Sequence, residues 1–246
     1  MSVYDDNFDD GLLDPKWTLD KDPAGGGGLM LQEVGGVIWI NKIFHHNKYI
    51  HIEQACNHDN ITAIAKLRVR NTVDLFKWNI SLALYWDVDN WAQVLLRYHT
   101  DDEAKRYVYA TWNDASTFDK LAGSQAVVID TWYWVKLALS PTEVNFYSSI
   151  NGTSWNLIKT LTRPAGMSGA PSLFILGCGH GDNPEYPNAD FDNSEYGVQT
   201  IILEADDFIV EGVPSEPLPK VALNLGLPAP ALTTFEVTEG EPVVVI

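Results

Sequence analysis

From Trp132 to Leu139 the chain alternates without a break. Tyr133, Val135, Leu137 and Leu139 fall on one side, and Trp132, Trp134, Lys136 and Ala138 on the other. A period of two over such a run predicts a strand with one buried face, not a helix. Ser140-Pro141-Thr142-Glu143 predicts a turn, after which Val144 to Ser149 returns with Val144 and Phe146 against Asn145 and Tyr147. Asn151-Gly152 offers a second reversal, where positive φ costs little. Trp155 to Leu161 then predicts a third strand, and the three make an antiparallel meander.

The same pattern recurs along the chain. Ile61, Ala63, Ala65, Leu67 and Val69 oppose Thr62, Ile64, Lys66, Arg68 and Arg70, which predicts a half-buried strand with a basic outer edge. Residues 78–86 and 91–99 predict a hairpin closed by Asp87-Val88-Asp89-Asn90. Residues 36–43 and 48–55 read as a strand pair, with His45 and His46 as solvated loop residues between them. Residues 106–112, 170–178 and 198–210 add further strands, and 179–197 is a polar loop rich in turn formers. Gly25 to Gly28 lacks the Gly-Lys-Ser/Thr ending of a phosphate loop and reads as a flexible connection. About eleven strands and no amphipathic helix predict an all-β sandwich over residues 1–212.

Residues 213–246 differ in character: they hold six of the chain's 13 prolines. Val221, Leu223, Leu225 and Leu227 alternate there against Lys220, Ala222, Asn224 and Gly226. Proline keeps such a segment extended, and an extended apolar arm needs a cover. Two covers stand open: its own sandwich, or a neighbouring subunit that accepts it as an added strand. The second predicts a homo-oligomer or a larger assembly through residues 214–246.

Composition narrows the function. At 246 residues and 46% hydrophobic content the chain can bury a large core. A net charge of −17 argues against nucleic acid and anionic membranes as partners. No apolar run approaches the ~18 residues of a membrane span, so no membrane insertion is expected. The opening MSVYDDNFDD lacks the charged-then-apolar pattern of a signal peptide, so synthesis and retention in the cytoplasm is the expectation. Cys56 and Cys178 are not in a CxxC or zinc-ligand spacing; two free thiols are the default and one disulfide stays open.

Three motifs resemble the concanavalin A-like lectin/glucanase superfamily, in its laminin-G-like branch. The first is Asn7-Phe8, Gly11 and Leu13-Asp14-Pro15-Lys16-Trp17 at the start. The second is Leu84 to Trp91 with its Asp-rich turn, followed by the hairpin Phe146 to Trp155. The third is the closing Asp206-Asp207-Phe208-Ile209-Val210. The resemblance spans roughly residues 4–212 and implies a jelly-roll sandwich of about eleven or more antiparallel strands. It also implies that first and last strands pair, bringing Phe8 near Phe208.

Three functions follow from the resemblance. Glucanases of the superfamily carry a Glu-x-Asp-x-x-Glu strand; the nearest stretch here, Glu204 to Ile209, has Ile209 at the second Glu, so no enzyme is expected. Carbohydrate binding is the leading expectation, with a glycan or cell-surface polysaccharide as partner. Tyr85, Asp87, Gln93, Arg97, His99, Tyr107 and Tyr109 sit at strand spacing and would form a polar-aromatic platform if they share a face. Against that stands the simpler fact that tyrosine is a good strand former. Superfamily members often hold structural calcium where the first and last strands meet, which nominates Asp6, Asp9 and Asp207. Non-catalytic sandwiches of this kind also serve as attachment or purely structural modules of bacteriophage capsids, tails and fibres, so a virion surface is a further expectation.

Overall fold

The computed structural model describes residues 5–21, 29–33, 36–43, 50–70, 77–99, 107–115, 118–178 and 200–212. In chain order the strands are β1 (Thr18–Lys21), β2 (Leu29–Glu33), β3 (Ile38–Ile43), β4 (Ile50–Ala55) and β5 (Ile61–Arg70). They continue as β6 (Lys77–Asp87), β7 (Asn90–His99), β8 (Tyr107–Asp114), β9 (Phe118–Ala126) and β10 (Trp132–Leu139). The last four are β11 (Glu143–Ser149), β12 (Asn156–Thr162), β13 (Leu173–Cys178) and β14 (Thr200–Glu211). Among the described residues the one helical element is a 3-10 turn, Ala165–Met167. No helix there is long and apolar enough to cross a membrane.

The strands form two seven-stranded antiparallel sheets. Sheet I runs β1-β4-β13-β6-β7-β8-β9, and sheet II runs β12-β11-β10-β5-β14-β3-β2. The chain is therefore an all-β jelly-roll sandwich. Its core lies between the sheets, filled from sheet I by Ile50, Ile52, Leu82, Val94 and Phe174, and from sheet II by Ala65, Leu67, Val135, Phe146 and Phe208. Each large apolar side chain buried there contributes roughly 1.5–3 kcal/mol relative to exposure.

The alternation of β10 is reproduced residue for residue. Tyr133, Val135, Leu137 and Leu139 are buried, and the intervening four are half-buried. β10 pairs with β11 on one side and β5 on the other, so the central strands of sheet II are the ones with the cleanest period of two. The sandwich is closed by its ends. Asp6 and Phe208 exchange both backbone hydrogen bonds, at 2.9 and 2.7 Å, and Trp17 sits with its ring centroid 6.0 Å from Phe8 and 5.1 Å from Phe208. The pairing of first and last segments is thus present.

One strand pair expected from the sequence does not form. β3 lies between β14 and β2 in sheet II, whereas β4 lies between β1 and β13 in sheet I. Ile38 and Ile40 face the same core as Ile50 and Ile52, but from opposite sheets. Alternation shows that one face is buried; it does not say from which side. β1, β2 and β9 are strands that periodicity missed. The 213–246 arm lies outside the described residues.

Candidate functional site

Along β4, β13, β6, β7 and β8 every second residue enters the core, so the residues between point to the outer face of sheet I. Read across the ladder, the central row is Glu53, Ile175, Ala83, Gln93 and Thr111, each the register partner of the next. The row beside it is Asp20, His51, Gly177, Ser81, Leu95 and Tyr109. Tyr85 partners Trp91 in the row on the other side.

Five of the seven predicted platform residues therefore do share one face: Tyr85, Gln93, Arg97, Tyr107 and Tyr109. They are not equally accessible. Tyr85, Arg97 and Tyr107 are half-buried, while Gln93 is 2% and Tyr109 7% exposed. The Arg97 guanidinium lies 5.8 Å from the Tyr109 ring centroid, a cation–π approach that fixes the planar donor fork over the sheet. Asp87 does something else. It ends β6 at the exposed hairpin tip, where its Oδ1 accepts from Asp89 N at 2.9 Å and Asn90 Nδ2 at 2.8 Å. The side chain of His99 lies outside the described residues.

The floor of this face is built from small groups: Ser81, Ala83, Thr111 and Gly177. Thr111 is fully buried, and its Oγ1 has no hydrogen-bond partner among the described residues. A buried hydroxyl left unpaired costs about 1–3 kcal/mol, so such a group is commonly retained for a ligand or a water. Sequence reasoning missed Thr111 because a threonine in a β run looks like an ordinary strand former. It also missed Asp20, His51 and Glu53, whose ligand atoms all lie within 4.8 Å of one another at the β1–β4 edge.

The acidic N-terminal stretch nominated for calcium is arranged differently from a carboxylate cage. Asp6 Oδ1 accepts from Phe8 N at 2.9 Å, and its Oδ2 accepts from Trp17 Nε1 at 2.9 Å. The Lys16 ammonium stands 3.5 Å from Asp6 and 3.4 Å from Asp14, and donates to the Asp5 carbonyl at 2.5 Å. A protein cation thus already sits among these oxygens. Asp9 is exposed, and the side chain of Asp207 lies outside the described residues. Nearby, Glu33 is 7% exposed; its Oε1 accepts from Gly11 N at 2.7 Å and its Oε2 has no hydrogen bond among the described residues. Burial pushes its carboxyl up from the ordinary value, the Gly11 hydrogen bond opposes this, and Asp10 and Asp6 add to it. Cys56 is a buried free thiol, pushed by burial up to about 11, and so is not a nucleophile near neutral pH.

No protein-family model matches the chain, and no curated protein matches it in sequence. Solved structures do match in fold. The GH43 protein BlXynB of Bacillus licheniformis is 15% identical, with a TM-score of 0.57 over 84% of this chain and 38% of that one. The xylan beta-1,4-xylosidase of Bacillus halodurans is 13% identical, with a TM-score of 0.58 over 85% and 39%. The catalytic domain of an endo-1,3-beta-glucanase (laminarinase) from Thermotoga petrophila is 14% identical, with a TM-score of 0.53 over 85% and 97%. The chain spans under two-fifths of the length of the first two. These likenesses establish the jelly-roll sandwich fold.

They also correct the expectation of a non-enzyme. That expectation rested on Ile209, yet Glu204 to Ile209 lies on β14, in sheet II, where Ala205 and Phe208 are buried in the core. The residue at 209 is therefore no test of catalysis on the outer face of sheet I. The solved structures that share the fold include a xylosidase and a laminarinase catalytic domain. The missing Glu-x-Asp-x-x-Glu strand excludes nothing.

Proposed function

We propose that the chain binds carbohydrate on the outer face of sheet I. The observation that carries this reading is the buried Thr111 Oγ1, without a hydrogen bond among the described residues, next to Gln93 on the face that also carries Tyr85, Arg97 and Tyr107. Sugars present apolar C–H faces and a ring of hydroxyls. The half-exposed tyrosine rings suit the former, and an amide, a guanidinium and a hydroxyl suit the latter. The fold is also one that polysaccharide-degrading enzymes use. Titration of laminarin- and xylan-derived oligosaccharides into the protein is the direct test. Tyr107→Ala and Arg97→Ala should each weaken binding about tenfold, at roughly 1–2 kcal/mol per lost contact. Full affinity in both variants would place any sugar elsewhere.

A second reading is glycoside hydrolysis. It is favoured by the match to nearly the whole of a laminarinase catalytic domain. Time-dependent release of reducing ends from laminarin or xylan would support it; binding without turnover on both polymers would remove it.

A further inference from the structure

At the free edge of sheet I, β1 is a strand of four residues with β4 as its sheet neighbour. The antiparallel register places Asp20 opposite His51, and Thr18 opposite Glu53. His51 and Glu53 are two apart on β4 and so lie on one face, the outer one, since Ile50 and Ile52 take the core. Asp20 joins them from across the ladder. His51 is fully buried, while Asp20 is 42% and Glu53 23% exposed at their side chains.

The place of His51 is built by the next strand. Gly177 of β13 has φ +148°, and a Cβ there would lie 2.6 Å from His51 Cα and 2.7 Å from its Cβ. Only glycine lets β13 lie this close to β4 at His51.

The distances are informative. His51 Nε2 is 3.7 Å from Asp20 Oδ2 and 3.5 Å from Glu53 Oε2. Charge-assisted hydrogen bonds between imidazolium and carboxylate close to about 2.7–2.9 Å. Two ligands each about 2.0–2.1 Å from one tetrahedral ion stand roughly 3.3–3.4 Å apart. The two observed separations are nearer the second figure, and the three ligand atoms are within 4.8 Å of one another. Asp20, the most exposed of the three, has the freedom to swing inward.

We infer that Asp20, His51 and Glu53 form a binding site for a divalent transition-metal ion of the zinc type. One imidazole and two carboxylates suit zinc and its neighbours; calcium prefers six to eight oxygens and no nitrogen. Three protein ligands leave a fourth position, which the partial exposure of Asp20 and Glu53 turns toward solvent. Bound there, the ion ties the short edge strand to the sheet. The inference is independent of carbohydrate binding.

Calorimetric titration of Zn2+ into the metal-stripped full chain tests it. One equivalent should bind, with a rise in Tm, and Ca2+ at the same concentration should do neither. Asp20→Asn and Glu53→Gln should each weaken Zn2+ at least tenfold and His51→Ala should abolish it, whereas Glu143→Gln, on the exposed start of β11 in sheet II, should change nothing. Should the buried His51 variant fail to fold, Asp20→Asn at the rim decides alone. Absence of stoichiometric binding, or binding that Asp20→Asn leaves intact, overturns the site and leaves the three groups as an ion pair shared by one imidazole.

Discussion

The two sheets present outer faces of similar composition and opposite character. On sheet II, Lys66 and Arg68 from β5 and Trp132, Trp134 and Lys136 from β10 are all half-buried. They cover one another. The Lys66 ammonium lies 4.8 Å from the Trp132 centroid and 5.6 Å from that of Trp134, with the Arg68 guanidinium 4.3 Å from Trp132. Lys136 stands 4.5 Å from Tyr147 and 4.0 Å from Trp155. Long side chains laid across the pleat make a closed surface whose basic and aromatic groups satisfy each other. The outer face of sheet I instead sets the small Ser81, Ala83, Thr111 and Gly177 among Ile175, Gln93 and Leu95, all of them buried. Aromatic and cationic content therefore does not identify a ligand face. What distinguishes the faces is the kind of side chain that lies on the pleat: stacked basic and aromatic groups on sheet II, small and polar ones with the Arg97–Tyr109 pair on sheet I.

Substitutions on each face should break along that line. Trp134→Ala on sheet II has the largest expected effect on stability, about 2–3 kcal/mol. It removes a ring that also supports the Asn151-Gly152 turn, where a Cβ on Gly152 would come within 2.9 Å of Trp134 Cε2. Urea denaturation should register the loss, and oligosaccharide affinity should be unchanged. Loss of sugar binding with little loss of stability would transfer the ligand to sheet II.

The edges differ as well. Glu53 of β4 sits beside His51, whereas Glu33 of β2 is buried with one oxygen lacking a hydrogen bond among the described residues. The carboxyl of Glu33 titrates above its ordinary 4.5 in the folded chain. Below that value the group is neutral in both states and nothing is lost. As pH rises through the folded value, the unfolded chain ionises freely while the folded one must bury the charge, so stability falls. Glu33→Gln should accordingly raise Tm at pH 7, and the gain should vanish in acid. A variant with the same Tm advantage at all pH values would show that the charge is not the cause.

The smallest effect on stability belongs to Thr111→Val. Removing a buried hydroxyl that has no hydrogen bond among the described residues should raise stability slightly, within about 1 kcal/mol, because its desolvation is no longer uncompensated. Sugar affinity should fall nonetheless. Destabilisation would instead mean the hydroxyl is already satisfied and the sheet I face is closed like its counterpart.

Local alternation was enough to place β5, β10 and β11, because the pleat itself sends every second side chain to one face. The Asp87–Asn90 hairpin was legible for a similar reason: its turn residues organise it, with Asp87 accepting from Asp89 N and Asn90 Nδ2. β9 was not legible, since its Gly123 interrupts the apolar pattern; a Cβ there would lie 2.7 Å from the Val108 carbonyl, so the close approach of β8 demands glycine. Strand parity grouped Tyr85, Gln93, Arg97, Tyr107 and Tyr109 within their own strands, but the register that sets them on one face and their unequal burial were not legible.

The sequence by itself determined an all-β chain and the faces of its central strands; the approach of Phe8 to Phe208 was implied by the resemblance alone. Only the tertiary structure decided that β3 and β4 belong to opposite sheets, that Glu204 to Ile209 runs in the sheet away from the polar face, and that Asp20 meets His51 and Glu53. Parity is a property of one strand and is written in neighbouring residues. Pairing joins segments far apart in the chain, and its energy comes from closing a shared core that no single stretch contains.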